Sequence, residues 1–195
     1  MKNVAFICLL LLPLLVFGQQ KDFKRSNWSV SFVYSPDSYA PPQVENDAGT
    51  YQELAYRVGV DFIKPFNENP RTSFRTGLRR AVYNTRIEAF GVVSGSPFDI
   101  ISFEKLTYYE VPFALRYTFG QKQVRFYTEA LCSLNFGASN SGLKPHISWG
   151  LSAGLDCQIT NSLSLFAQPI LRKPLVRNYT YFFSTGIEMG IKMKL

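Results

Sequence analysis

The chain carries one histidine, His146, and beyond residue 8 only two cysteines, Cys132 and Cys157. A zinc or haem centre draws several nitrogen or sulfur ligands together, and this set is too small and too dispersed to supply them. Ser-His-Asp hydrolysis needs a serine within hydrogen-bond reach of the histidine. His146 falls in a predicted loop, and no serine stands in the strand-turn-helix setting of a G-x-S-x-G nucleophile. No catalytic residue, metal ligand or cofactor is therefore expected. The two cysteines share one face of adjacent predicted strands, where two free buried thiols are expected over a strained cross-strand disulfide.

What remains is charge pairing. Arg57, Asp61, Arg75, Arg79, Glu110, Arg116, Glu129, Asp156 and Glu188 are scattered along the chain, yet each occupies the polar parity of its own alternating segment, as do Lys192 and Lys194. Buried ions survive when mutually paired and hydrogen-bonded. Both signs on one face make these nine residues a candidate lumen polar network. They would either line a path for solutes or form a satisfied plug that fixes the register of the strands.

The elements that would position them are strands, because apolar residues recur with period two through most of the chain. The alternating segments are 28–34, 56–63, 74–83, 108–119, 126–136, 148–159, 163–172 and 183–195. The last is the cleanest, with Ile187, Met189, Ile191 and Met193 on one face and Gly186, Glu188, Gly190 and Lys192 on the other. Between the strands lie tight turns at 67–71, 120–123 and 160–162, rich in Gly, Asn, Pro and Ser. Longer loops are predicted at 35–54, 86–105, 137–147 and 173–179. Three short turns and four long loops suit a barrel with both ends of the chain on one side of a membrane.

The fold class expected is all-β: an eight-stranded antiparallel up-and-down transmembrane β-barrel. The polar face is rich in Gly and Ser, which suit the cramped interior of a small barrel, and turned outward its arginines would meet lipid. The reverse orientation would make a soluble, lipocalin-like binder. Aromatics near the strand ends, among them Trp28, Tyr34, Phe66, Tyr117, Phe119, Phe126, Phe136, Trp149 and Phe183, are expected to form interfacial girdles. Arg80 falls on the apolar face. It either snorkels to the headgroups or marks a bulge, and Pro112 in mid-strand is a second candidate for one.

Composition agrees. Aromatics make up 15% of the 195 residues and charged residues only 18%, against a usual charged share of about 25%. The formal charge is +7, but no dense basic run supports nucleic-acid binding. Lys2 followed by an apolar stretch from Val4 to Phe17 reads as a secretory signal. The expected organisation is a signal peptide at 1–18, a short periplasmic segment at 19–27 and a barrel at 28–195.

The segment Lys105-Leu-Thr-Tyr-Tyr-Glu-Val-Pro-Phe-Ala-Leu-Arg-Tyr-Thr-Phe-Gly120 resembles one found in outer-membrane β-barrel domain proteins of Bacteroidota, which are OmpA/OmpX-like. The strands around Thr76-Gly77-Leu78, Gly150 to Gly154 and Gly186 to Leu195 fit the same pattern. The resemblance implies an outer-membrane barrel, with outer-membrane lipid and the barrel-assembly machinery as partners. It implies no common activity and identifies no surface ligand. Leu195 departs from the terminal aromatic that the assembly machinery reads in many such proteins. The function expected is structural or surface-binding without enzymatic activity, with a narrow solute channel as the alternative.

Overall fold

The computed structural model describes residues 28–39, 49–66, 71–93, 96–120, 123–138, 145–175 and 184–195. The expected signal peptide, the 19–27 segment and Phe183 lie outside these. Eight strands are present: β1 (Ser29–Tyr39), β2 (Gly49–Pro65), β3 (Thr72–Val93), β4 (Ser96–Phe119), β5 (Val124–Gly137), β6 (His146–Gln158), β7 (Leu163–Pro174) and β8 (Ser184–Lys194). Each pairs antiparallel with its sequence neighbours, and β1 also pairs with β8, closing the barrel. Closure leaves the wall without a free edge, which is the condition for β structure in a bilayer.

The wall is apolar outside and polar inside. Phe32, Leu115, Phe126, Leu151 and Ile187 are each more than half exposed, while Asp61, Arg75, Gln168 and Glu188 are fully buried. The soluble, lipocalin-like alternative needs the opposite sense and is overturned. An apolar belt around the whole wall is far larger than the patches that soluble monomers tolerate, and lipid is its solvent. Tyr117 and Phe119 pack edge to face at 4.9 Å near the turn end, and Lys64 lies over the Trp28 ring at 5.2 Å.

Two expected loops are largely strand. β1 runs through Pro36 to Tyr39, and β2 begins at Gly49. Where this ladder ends, Gln52 imitates a backbone unit: its Oε1 accepts from Tyr39 N at 2.9 Å and its Nε2 donates to the Asp37 carbonyl at 3.2 Å. The 86–105 segment is a hairpin paired from Arg86↔Phe103 to Val93↔Ser96. It outruns β5, whose pairing with β4 stops at Tyr108↔Gly137. A projecting arm has no buried face to impose alternation. Residues 101–105 are accordingly all exposed, Phe103 at 70%. Its backbone groups are satisfied by the partner strand whatever the side-chain pattern.

Neither expected bulge forms. The pairs Thr76↔Phe113 and Arg79↔Glu110 keep one register across Pro112, as do Val58↔Arg80↔Tyr109 across Arg80. The register shift in β2 falls instead between Gln52 and Ala55. Arg80 points outward and is exposed. Its ladder row continues through Tyr109 to Phe136, the penultimate residue of β5. In the other direction the same row runs through Val58 and Tyr34 to Met189, in the middle of β8.

Small residues on the inner face make room for large ones opposite. A Cβ on Gly190 would collide with the Phe32 carbonyl oxygen and stand 2.8 Å from the Phe166 ring, and one on Gly154 would stand 2.6 Å from the Ala167 carbonyl oxygen and 2.8 Å from Tyr127 Cζ. Gly190→Val is therefore expected to destabilise the barrel by about 1–3 kcal/mol, the usual cost of overpacking. Urea unfolding of the refolded protein checks this.

Candidate functional site

The inward parity of the eight strands converges on one ion network. At its centre Glu188, from β8, accepts from four donors: Arg79 Nη1 at 2.7 Å, Arg75 Nη1 at 2.5 Å, Arg172 Nη2 at 2.8 Å and Gln168 Nε2 at 2.7 Å. Asp61, from β2, holds the same pair of β3 arginines, with Arg79 Nη2 at 2.6 Å and Arg75 Nη1 at 3.0 Å. Arg75 also reaches Glu129 of β5, and Glu129 accepts from Arg116 Nε at 3.1 Å. Toward the loop end, Arg57 pairs with Asp37 and with Glu110 at 3.0 Å, and Ser133 donates to Glu110 at 2.8 Å. Arg172 ties this tier to the centre, with its Nη1 3.6 Å from Asp37.

Eight of the nine residues proposed from sequence meet here: Arg57, Asp61, Arg75, Arg79, Glu110, Arg116, Glu129 and Glu188. Asp156 stands apart near the turn end, paired with Arg125 at 3.4 Å and with Lys192. Two ionic members were missing from the sequence proposal. Asp37 falls within the stretch 35–54 expected as a loop, yet it keeps the parity of Ser31, Val33 and Ser35. Arg172 shares the parity of Gln168 and Ile170, which was the signal available. With these two, the network joins five arginines to five carboxylates, all at most 7% exposed. An isolated charge at this depth would cost several kcal/mol, roughly, and the pairing in equal numbers offsets that.

Aromatic and aliphatic layers seal the network, so the interior holds more than glycine, serine and ions. On the loop side Tyr39, Tyr83 and Tyr108 pack edge to face, with centroids 5.0 and 6.1 Å apart, and His146 meets Tyr108 at 5.2 Å. His146 is thus not in a loop but opens β6 and is buried under this lid. On the turn side Val33, Tyr127 and Phe166 form a second cluster, and the Arg116 guanidinium lies 3.9 Å from the Tyr127 centroid. Ala114, Leu131 and Ile170 form a third.

The remaining reactive side chains are separated by the register. Cys132 faces Trp149 on β6, whereas Cys157 faces Val124 on β5, at the opposite end of that ladder. Both thiols are free, and Cys132 is exposed on the outer wall rather than buried in protein. Gly150-Leu-Ser-Ala-Gly154 has the spelling of a nucleophile elbow but runs straight within β6, where Ser152 donates to Gln168 at 3.1 Å. It lacks the turn that such a serine requires.

No protein-family model matches the chain, and no curated protein matches it by sequence. Its shape is similar to that of Neisserial surface protein A, with a TM-score of 0.52, 19% identity, 89% of this chain covered and 100% of the other. It is also similar to the N-terminal β-barrel domain of Pseudomonas aeruginosa OprF, with a TM-score of 0.51, 13% identity, 87% of this chain covered and 98% of the other. The likeness lies in the fold. With eight antiparallel strands closed on themselves, lipid-facing outside and ionic within, this chain has the architecture of an outer-membrane β-barrel.

Proposed function

We propose that the chain is an integral outer-membrane barrel whose role is structural or surface-binding, without enzymatic activity and without a conducting lumen. The observation that carries this reading is the filled interior. From the tyrosine lid to the Tyr127–Phe166 layer, the lumen is occupied by side chains that hold one another in place. The largest fully buried of them are Arg75, Arg79, Tyr127, Gln168, Glu110 and Glu188. A solute crossing here would have to part several buried ion pairs at once. The projecting β3–β4 hairpin, with Ile101 and Phe103 exposed, supports a binding role at the loop side, where function on rigid scaffolds usually resides. Outer-membrane lipid is then the permanent partner and the barrel-assembly machinery a transient one.

In planar bilayers the purified barrel is expected to insert without discrete conductance steps. Stable single-channel openings by the unmodified protein would instead support the narrow-channel reading. Insertion is verified in the same sample by the faster migration of the unboiled protein on SDS gels.

A further inference from the structure

The β3–β4 arm carries a strand edge that nothing among the described residues covers. β4 pairs with β5 from Phe119 to Tyr108, and the Ala138 N–H then donates to the Thr107 carbonyl at 2.9 Å. From Leu106 back to Ser96, β4 keeps β3 on one side and has no described partner on the other. Such an edge presents a row of unpaired N–H and C=O groups, which proteins usually blunt with proline, lysine or a bulge. Here Pro97 and Lys105 stand near the two ends, and the residues between them, Phe98 to Glu104, include neither. The register with β3 runs without a shift from Arg86↔Phe103 to Val93↔Ser96, so no bulge interrupts the edge. Ile101 and Phe103 stand 57% and 70% exposed on this arm.

The strand that fits this edge is the edge itself. Antiparallel pairing of two copies about a two-fold axis at Ser102 sets Ile101 opposite Phe103 and Asp99 opposite Lys105, and each pair occurs twice. Apolar residues and unlike charges directly opposite one another are the combinations that stabilise a ladder, whereas like charges weaken it. A slip of one residue in one direction sets Asp99 opposite Glu104. A slip in the other sets Ile100 opposite Lys105 and Ile101 opposite Glu104. The order of residues therefore selects a single register. An interface that uses the same patch on both copies closes at the dimer.

We propose that the β4 edge pairs with the same edge of a second copy of this chain, head to head, in the register centred on Ser102. The proposal rests on the loop-side binding role given above and names its partner. In both copies β4 runs from the arm tip to the wall, so antiparallel pairing sets the two barrels at opposite ends of one sheet made of β3 and β4 from each.

The test is sedimentation velocity of the full-length barrel in non-ionic detergent over a concentration series. A reversible dimer is expected. Lys105→Asp should weaken it about tenfold, because two attractive pairs become two repulsive ones, and Asp99→Lys/Lys105→Asp should restore it. Register is read by oxidation in a background whose native cysteines are serine. Ser102→Cys should give a disulfide-linked dimer, since directly opposite residues of an antiparallel pair lie within disulfide range. Ile101→Cys, set opposite Phe103, should not. Residues 101–105 are all exposed, and the fast-migrating gel band verifies that each variant keeps the barrel. A monomer at every concentration overturns the proposal, as does a double variant that fails to restore the dimer, or equal cross-linking at 101 and 102. A monomeric barrel without conductance overturns the self-pairing alone, whereas conductance steps count against the reading on which it rests.

Discussion

Glu188→Ala is expected to destabilise the barrel by at least about 3–5 kcal/mol, the cost of removing one partner from a buried ion pair. Glu188 is the point on which Arg75, Arg79, Arg172 and Gln168 converge. Its loss leaves the arginines in excess by one in a buried space. Asp61 and Glu129 retain part of Arg75 and Arg79, whereas Arg172 keeps only the longer contact to Asp37, at 3.6 Å. Whole proteins are stable by only about 5–15 kcal/mol, so a loss of this size should be visible as failed refolding or as loss of the fast-migrating gel band at lower temperature. Glu188→Gln preserves an acceptor and the packing but removes the charge, and should fall between wild type and Glu188→Ala. Equal stability of all three proteins, measured by urea unfolding, would show that the network does not hold the barrel together.

The next largest effect is expected one residue away, on the other face. Ile187 is 54% exposed and stands near the middle of β8. Ile187→Arg puts a guanidinium into the acyl region and should cost about 2–4 kcal/mol, falling to about 0–1 kcal/mol for the same change near an interface. Phe66→Arg, just past the end of β2 at the turn-side rim, is the matched change at low cost. Arg80 provides a natural control: Arg80→Leu should shift stability by no more than about 1 kcal/mol if its long side chain reaches the headgroups. Unfolding in liposomes of defined composition distinguishes the three. If Ile187→Arg and Phe66→Arg cost the same, the outer wall is not sensing bilayer depth, and the membrane assignment fails.

Adjacent residues in β8 thus answer to opposite solvents. That alternation could be read without coordinates, because a strand's side chains repeat every two residues. From Phe32, Val33 and Tyr34 to Ile187, Glu188 and Met189, parity alone separated wall from lumen. It also set the number of strands, the short turns and the class of fold. The reading failed where alternation lapses or a breaker intervenes. Asp37 lies in the proline-containing stretch 35–54 expected as a loop, and Gly91 with Pro97 disguised the β3–β4 hairpin, since backbone ladders form between any two strands that meet in register.

The pairings inside the barrel were settled only by its closure. Arg75 meets Asp61, Glu129 and Glu188 from sequence distances of 14, 54 and 113 residues. No local spacing encodes a contact made across a lumen. Strand number, tilt and stagger bring those groups to one depth. The same geometry decides that Ser29, Ser73, Thr118 and Ser164 border a cavity of about 580 Å³ at the turn end, whereas Tyr127 and Phe166, one layer deeper, close the way through. The amino-acid pattern determined which side chains face inward; which of them touch, and where space is left, followed from wrapping the sheet onto itself.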